Sequence, residues 1–154
     1  MEKAMKRITL RFLSVVMVAV ICLSVISCGS KYRIDDKDKS WVLVMISRNF
    51  DSEVVYASAE YKLVYDDAEL LDLTLKAADG KIVITDRKMG MQYFGSYEDK
   101  KLEDEKASYT ISFIENGEAK TGYANITGAK LHNGTLEYTL ILVFKDYTVY
   151  FKSR

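Results

Sequence analysis

Residues 135–145 read Thr-Leu-Glu-Tyr-Thr-Leu-Ile-Leu-Val-Phe-Lys. Leu136, Tyr138, Leu140, Leu142 and Phe144 recur at every second position. In an extended chain successive side chains point to opposite sides, so these five share one face. Asn133-Gly134 stands before the run and Lys145-Asp146 after it. Asn-Gly suits the two-residue turn of a hairpin, where both central residues need φ above zero. Asn116-Gly117 and Asp79-Gly80 are further turns of this kind. Working outward, Ser108-Tyr109-Thr110-Ile111-Ser112-Phe113 repeats the alternation, with Tyr109, Ile111 and Phe113 on one face and hydroxyls largely on the other. In the stretch 54–65, Val55, Ala57, Ala59, Tyr61, Leu63 and Tyr65 share a face.

The pattern predicts about nine strands, near 41–46, 54–65, 69–77, 81–86, 90–97, 108–115, 119–131, 135–145 and 147–153. Short connections force neighbours to run antiparallel, so residues 41–154 are expected to form an antiparallel meander of eight to nine strands. Such a meander avoids open edges by closing, and the expected fold is all-β, a small barrel or a sandwich. Residues 67–78 have a helix-like composition, with Asp67 as a cap and Gly80 beyond the end. Leu71, Leu73 and Leu75 nevertheless alternate with Asp72 and Thr74, which favours a strand. The charged run 97–107 reads as a connection, with Glu103, Asp104 and Glu105 on a solvated face. Proline is absent and tyrosine occurs 11 times, a composition suited to sheet.

The N-terminus has a different character. Residues 1–11 are short and basic, and Phe12 to Ile26 is an uninterrupted run of 15 apolar and small residues. That is the layout of a secretory signal helix, and it falls short of the roughly 20 residues that span a bilayer. The run ends in Val25-Ile26-Ser27-Cys28, an aliphatic residue, a tolerant position, a small residue and a cysteine. This resembles the lipobox of bacterial lipoprotein signals. The resemblance implies cleavage between Ser27 and Cys28, lipidation of Cys28 with diacylglycerol, and fatty acylation (palmitate or similar) of the new amine. Cys22 does not fit, because bulky Ile21 precedes it and the apolar run continues past it. Two or three acyl chains hold a protein at a membrane where one does so only marginally.

Three segments follow: a signal peptide (1–27), the lipidated cysteine with a polar tether (28–40), and a β domain (41–154). The tether, Gly29 to Ser40, is charged and without periodicity. Its Asp35, Asp36 and Asp38 lack the glycine turn and distal glutamate of a calcium loop. Without the signal the chain carries 18 basic and 21 acidic residues, a net charge near −3. That disfavours a nucleic-acid partner. No cysteine remains beyond Cys28, so no disulfide crosslinks the domain. A lipobox, a short tether and a meander together resemble the calycin-like and lipocalin-like lipoproteins of Bacteroidota, closest over Gly128 to Phe151. Trp41 stands near the place of the lipocalin opening tryptophan, without the glycine three residues before it. The resemblance is of architecture and implies no catalytic residues.

Little in the chain suggests catalysis, and no catalytic, cofactor or metal residue is assigned. His132 is the one histidine and precedes a turn, so neither a Ser-His-Asp triad nor a zinc site is supported. Adjacent carboxylates such as Asp66-Asp67 read as exposed turn residues, and no phosphate-binding glycine loop occurs. Tyr56, Tyr93, Tyr97, Tyr123 and Tyr150 are candidates for an aromatic platform, although tyrosine suits any half-buried sheet. The expectation is a non-enzymatic binding module in the cell envelope, lipid-anchored, with the outer membrane or cell surface favoured in a Gram-negative cell. It either presents surface to a protein or glycan partner or, alternatively, holds a small apolar ligand. Ala57 and Ala59 are the hint of internal room, against bulky Tyr61, Leu63, Tyr65, Leu140, Leu142 and Phe144.

Overall fold

The computed structural model describes residues 33–36, 40–99 and 108–154. The expected signal peptide and Cys28 lie outside them. Ten strands follow in chain order among the described residues: β1 (Trp41–Arg48), β2 (Val54–Ala57), β3 (Glu69–Leu70), β4 (Leu73–Ala78), β5 (Lys81–Asp86), β6 (Gln92–Asp99), β7 (Ser108–Glu115), β8 (Glu118–Lys130), β9 (Leu136–Val143) and β10 (Tyr147–Ser153). Strands β4 to β10 form the expected meander, each antiparallel to the next. β1 closes it, pairing with β10 from Trp41↔Ser153 to Arg48↔Tyr147 and with β4 through Trp41↔Leu75 and Val42↔Thr74. Eight strands thus make a closed barrel, which decides for barrel over sandwich.

The seam at β1 is split. Beyond Val42, β1 leaves β4 and pairs with β2 through Met45↔Ala57, Ile46↔Tyr56 and Ser47↔Val54. β3 then runs parallel to β2, so the two form a wedge between β1 and β4 at one end of the barrel. A bulge between Leu43 and Met45 accompanies the change of partner. The extra residue bends the strand and resets which side chains face inward. Leu43 consequently belongs to the main core and Ile46 packs against it, whereas Met45 is buried outside it.

Two expected strands are corrected. The stretch 54–65 is strand only as far as Ala57, and residues 58–68 are turns. The Ser58 carbonyl accepts from Tyr61 and Lys62 N–H at 3.0 and 2.9 Å, and the Tyr61 carbonyl from Val64 and Tyr65 N–H at 3.0 and 3.1 Å. Ser58 followed by Ala59, Glu60, Lys62 and Leu63 combines a capping residue with helix formers, and these local preferences prevail over the alternation. Leu63 is therefore 90% exposed instead of inward. Ala57 pairs with Met45 outside the main core, and Ala59 is exposed, so neither opens space within the barrel. The stretch 69–77 is extended as expected, but divided into β3 and β4 at Leu71-Asp72.

The turns divide in the same way. Asn116 (φ 51) with Gly117 (φ 81), and Asp79 (φ 50) with Gly80 (φ 76), take the left-handed pairs that a type I′ turn requires. At Asn133-Gly134 only the glycine does so, with φ 82. Here the chain makes a wider loop between Lys130 and Leu136, and Asn133 Oδ1 accepts from Thr135 N–H at 2.9 Å. Asn133 serves this loop through its side-chain acceptor, not through its φ.

The core runs along the barrel axis. All eight barrel strands contribute to one buried cluster: Trp41 and Leu43, Leu73 and Leu75, Ile82, Tyr97, Tyr109 and Ile111, Ala124 and Ile126, Leu140 and Leu142, and Phe151. Eight-stranded barrels are near the width that side chains alone fill. Burying each large apolar side chain contributes about 1.5–3 kcal/mol, so this column is the main source of stability.

Candidate functional site

The two ends of the barrel are built differently. At one end, where β1 and β7 begin and β6 ends, the chain before the barrel folds under it. Ile34 is 1% exposed and belongs to the main core. Its N–H donates to the Tyr109 hydroxyl at 3.2 Å, and its carbonyl accepts from Trp41 Nε1 at 3.1 Å. Tyr109 is on β7 and Trp41 on β1, which stand four strands apart in the ring of eight and so face each other across it. One residue thus bridges opposite walls, and its side chain plugs the end.

Neighbouring residues latch the plug. Arg33 pairs with Asp35 at 2.9 Å and with Asp99 of β6 at 3.2 Å. The Tyr97 hydroxyl donates to Asp35 Oδ2 at 2.7 Å, and the Tyr97 and Tyr109 rings meet edge to face at 5.6 Å. Burial, reinforced by the hydrogen bond to the Asp35 carboxylate, pushes the Tyr97 hydroxyl up to about 12. Against the desolvation of its own site, hydrogen bonds from Arg33 and Tyr97 hold Asp35 below the usual carboxylate range. Part of the stretch expected to be a solvated tether, Arg33 to Asp36, is therefore docked on the barrel. Ile34 is the sole aliphatic residue between Gly29 and Ser40, and that was the signal available in the sequence.

The opposite end is a shallow aromatic mouth. Phe113 of β7 and Phe144, which follows β9, reach across β8 and meet edge to face at 6.0 Å. Glycines make room for them: a Cβ on Gly95 falls 2.6 Å from Phe113 Cδ1, and one on Gly122 falls 3.0 Å from Phe144 Cδ1. Ile46, Leu71, Ile84 and Val149 are half-buried and, like the two rings, pack against the core. Tyr56, in register with Ile46, and Tyr93, in register with Ile84, extend the same inner face toward the rim, where Tyr93 is 47% exposed.

The rim is pinned. Asp86 is buried, and its Oδ1 accepts from Lys88 and Met89 N–H at 2.9 and 3.0 Å, shaping a loop that exposes Met89 and Met91. Arg87 fastens this loop to Asp72 through Nε at 3.0 Å and Nη2 at 2.7 Å. Across the mouth, Asn49 Nδ2 donates to the carbonyls of Phe144 at 2.7 Å and Lys145 at 3.1 Å, and its Oδ1 accepts from Thr148 at 2.7 Å. Arg48 pairs with Asp51 at 2.9 Å and with Glu53, and lies over the exposed Phe50 ring at 5.0 Å. Outside the barrel near this end, Phe94 and Ile114 are 64% and 76% exposed, one step beyond the paired Gly95 and Phe113.

The five tyrosines proposed as a platform are not brought together. Tyr56 and Tyr93 lie at the mouth, Tyr97 is buried at the plugged end, and Tyr123 and Tyr150 are on the outer surface. His132 is exposed in the loop after β8, at the plugged end, and Asp66 and Asp67 are exposed in the 58–68 turns. Ser27 and Cys28, the expected cleavage and lipidation site, lie outside the described residues. Among the described residues no group of three or more His, Cys, Asp or Glu side chains is placed to hold a metal ion. Among them also, no helix is long and apolar enough to cross a membrane. No family model, curated protein or solved structure matches the chain.

Proposed function

We propose that this chain is an exported lipoprotein of the cell envelope, anchored through Cys28, whose barrel is a non-catalytic module that presents surface to a protein or glycan partner. The observation that carries the second half is the packed axis. Side chains from all eight barrel strands form one core, Ile34 packs into it at one end, and Phe113 and Phe144 meet against it toward the other. A barrel used as a calyx needs an interior left open for its ligand, and a core drawn from every strand supports the surface reading over that one. What the barrel offers instead is its rim and outer face, where Phe50, Met89, Met91, Phe94 and Ile114 are exposed. Such residues mark interaction sites when they cluster on one side of a protein. The first half rests on the Val25-Ile26-Ser27-Cys28 pattern at the end of its apolar run. Confinement to a membrane raises encounters with other tethered molecules without demanding tight affinity.

The second reading, a small apolar ligand, is favoured by the half-exposed aromatic mouth, which suits a shallow contact. Native mass spectrometry of the protein released from cells without detergent separates the two. A mass free of ligand supports the surface reading. A stoichiometric lipid displaced by an apolar dye overturns it in favour of the calyx. Metabolic labelling with a fatty-acid probe tests the anchor: label on the wild type and none on Cys28→Ala is the expected result.

A further inference from the structure

We infer that the docked plug restricts the orientation of the barrel on its membrane: the plugged end is tethered close to the lipid surface, and the barrel cannot invert to set its aromatic mouth face-on against it. This rests on the proposed anchor at Cys28. Arg33 is latched to Asp99 and Ile34 is buried at the plugged end, so the reach from Cys28 is counted to Arg33 rather than to Trp41. Five residue steps separate Cys28 from Arg33, and fully extended they span about 18 Å. β8 runs from the mouth to the plugged end over 13 residues; at about 3.3 Å per residue and a tilt of about 40°, it rises roughly 30 Å along the axis. A leash shorter than the barrel is tall cannot turn the mouth to the bilayer. It allows the barrel to stand, lean or lie on its side, but not to stand mouth-down on the lipid. Were the plug to leave, twelve residue steps from Cys28 to Ser40 would span about 43 Å, and the mouth could then invert onto the membrane.

The consequence concerns the partner. The exposed rim side chains Met89, Met91 and Phe50 are held out toward the aqueous side. In the upright pose they are offered to a molecule arriving from solution or from a neighbouring assembly, and in no permitted pose is the whole mouth pressed onto the home bilayer. The pinned rim suits this role, since the Arg87–Asp72 and Asn49–Phe144 bonds keep these loops in place without a partner.

The test uses the full lipidated protein, purified from membranes and reconstituted in phosphatidylcholine vesicles carrying a headgroup-linked acceptor dye. The processed chain has no other cysteine, so His132→Cys at the plugged end and Lys145→Cys at the mouth each supply one thiol for a donor dye. Both positions are exposed. Energy transfer several-fold greater from position 132 than from position 145 is expected. Adding Ile34→Asp, which expels the plug by burying an unpaired charge if it stays, should shrink the difference. Equal transfer from both positions, or more from position 145, in protein with an intact plug overturns the orientation. Absence of fatty-acid label and failure to float with vesicles overturns the anchor, and the orientation with it, before any dye is read.

Discussion

Ile34→Ala is the perturbation on which most of this structure turns. Ile34 is 1% exposed, and the substitution removes three carbon atoms from a filled core. At about 0.8 kcal/mol per buried methylene the transfer loss is about 2.4 kcal/mol, and an unrelaxed cavity raises it within the roughly 2–5 kcal/mol observed for such truncations. Removing the Tyr109 hydroxyl by Tyr109→Phe leaves the buried Ile34 N–H without its acceptor, at a cost of about 1–3 kcal/mol. If the plug docks as a unit, either change can dislodge it, and the double variant then loses less than the sum of the singles. Trp41 is the only tryptophan, is fully buried, and donates to the Ile34 carbonyl at 3.1 Å. Its emission therefore reports the plug directly. In urea unfolding, Ile34→Ala should lower stability by about 2–3 kcal/mol, with red-shifted Trp41 emission and easier acrylamide quenching before global unfolding. A change below about 0.5 kcal/mol, with Trp41 emission unaltered, would refute the docking of Ile34 beneath the barrel.

Asn116→Val should cost about 1 kcal/mol or more, because a β-branched residue resists a φ of 51, whereas Asn133→Val should lose only the 2.9 Å contact to Thr135. Comparing the two unfolding midpoints checks the turn geometries, and the reverse ranking would count against them. The latch also predicts pH dependence of both signs. Tyr97, raised from 10.0 to about 12, contributes stability that is whole below pH 10.0 and lost as pH rises through about 12. Asp35, lowered from 3.8, contributes stability present above pH 3.8 and lost as pH falls through its depressed value. Urea midpoints measured against pH should show Tyr97→Phe flattening the alkaline limb and Asp35→Asn the acid limb. A Tyr97→Phe profile parallel to wild type between pH 10 and 12 contradicts the coupling.

How much of this was legible depended on whether the controlling interaction was local. Tyr109, Ile111, Leu140 and Leu142 alternate because each strand has one buried face, and that period is written in consecutive residues. Asn116-Gly117 was legible for the same reason, since its φ values are a property of the two residues themselves. The same period misled at Tyr61, Leu63 and Tyr65, where Ser58 and the helix formers after it turn the chain out of the sheet. The meeting of Phe113 with Phe144 depends on glycines at positions 95 and 122 in other strands, and no local window contains all four. Ile34 was hidden for a further reason. A single apolar residue among charges has no period, and its partners Trp41 and Tyr109 lie 7 and 75 residues away.

The plug links stability and placement in one element. A ring of eight strands leaves an open end wherever its walls stop, and here the chain that enters the ring fills that end with Ile34. With the anchor proposed at Cys28, the segment that completes the core also sets the leash, so the two properties vary together. Any change that loosens the plugged end, whether Ile34→Ala, Tyr109→Phe or protonation of Asp35, weakens the fold and lengthens the leash together. The same variants measured by Trp41 emission and by energy transfer to the membrane should therefore fall in the same order. A variant that frees the plug yet keeps position 132 nearest the lipid would show that something other than Arg33 and Ile34 orients the barrel. Agreement between the two orders would tie the exposure of the mouth to the docking of four residues.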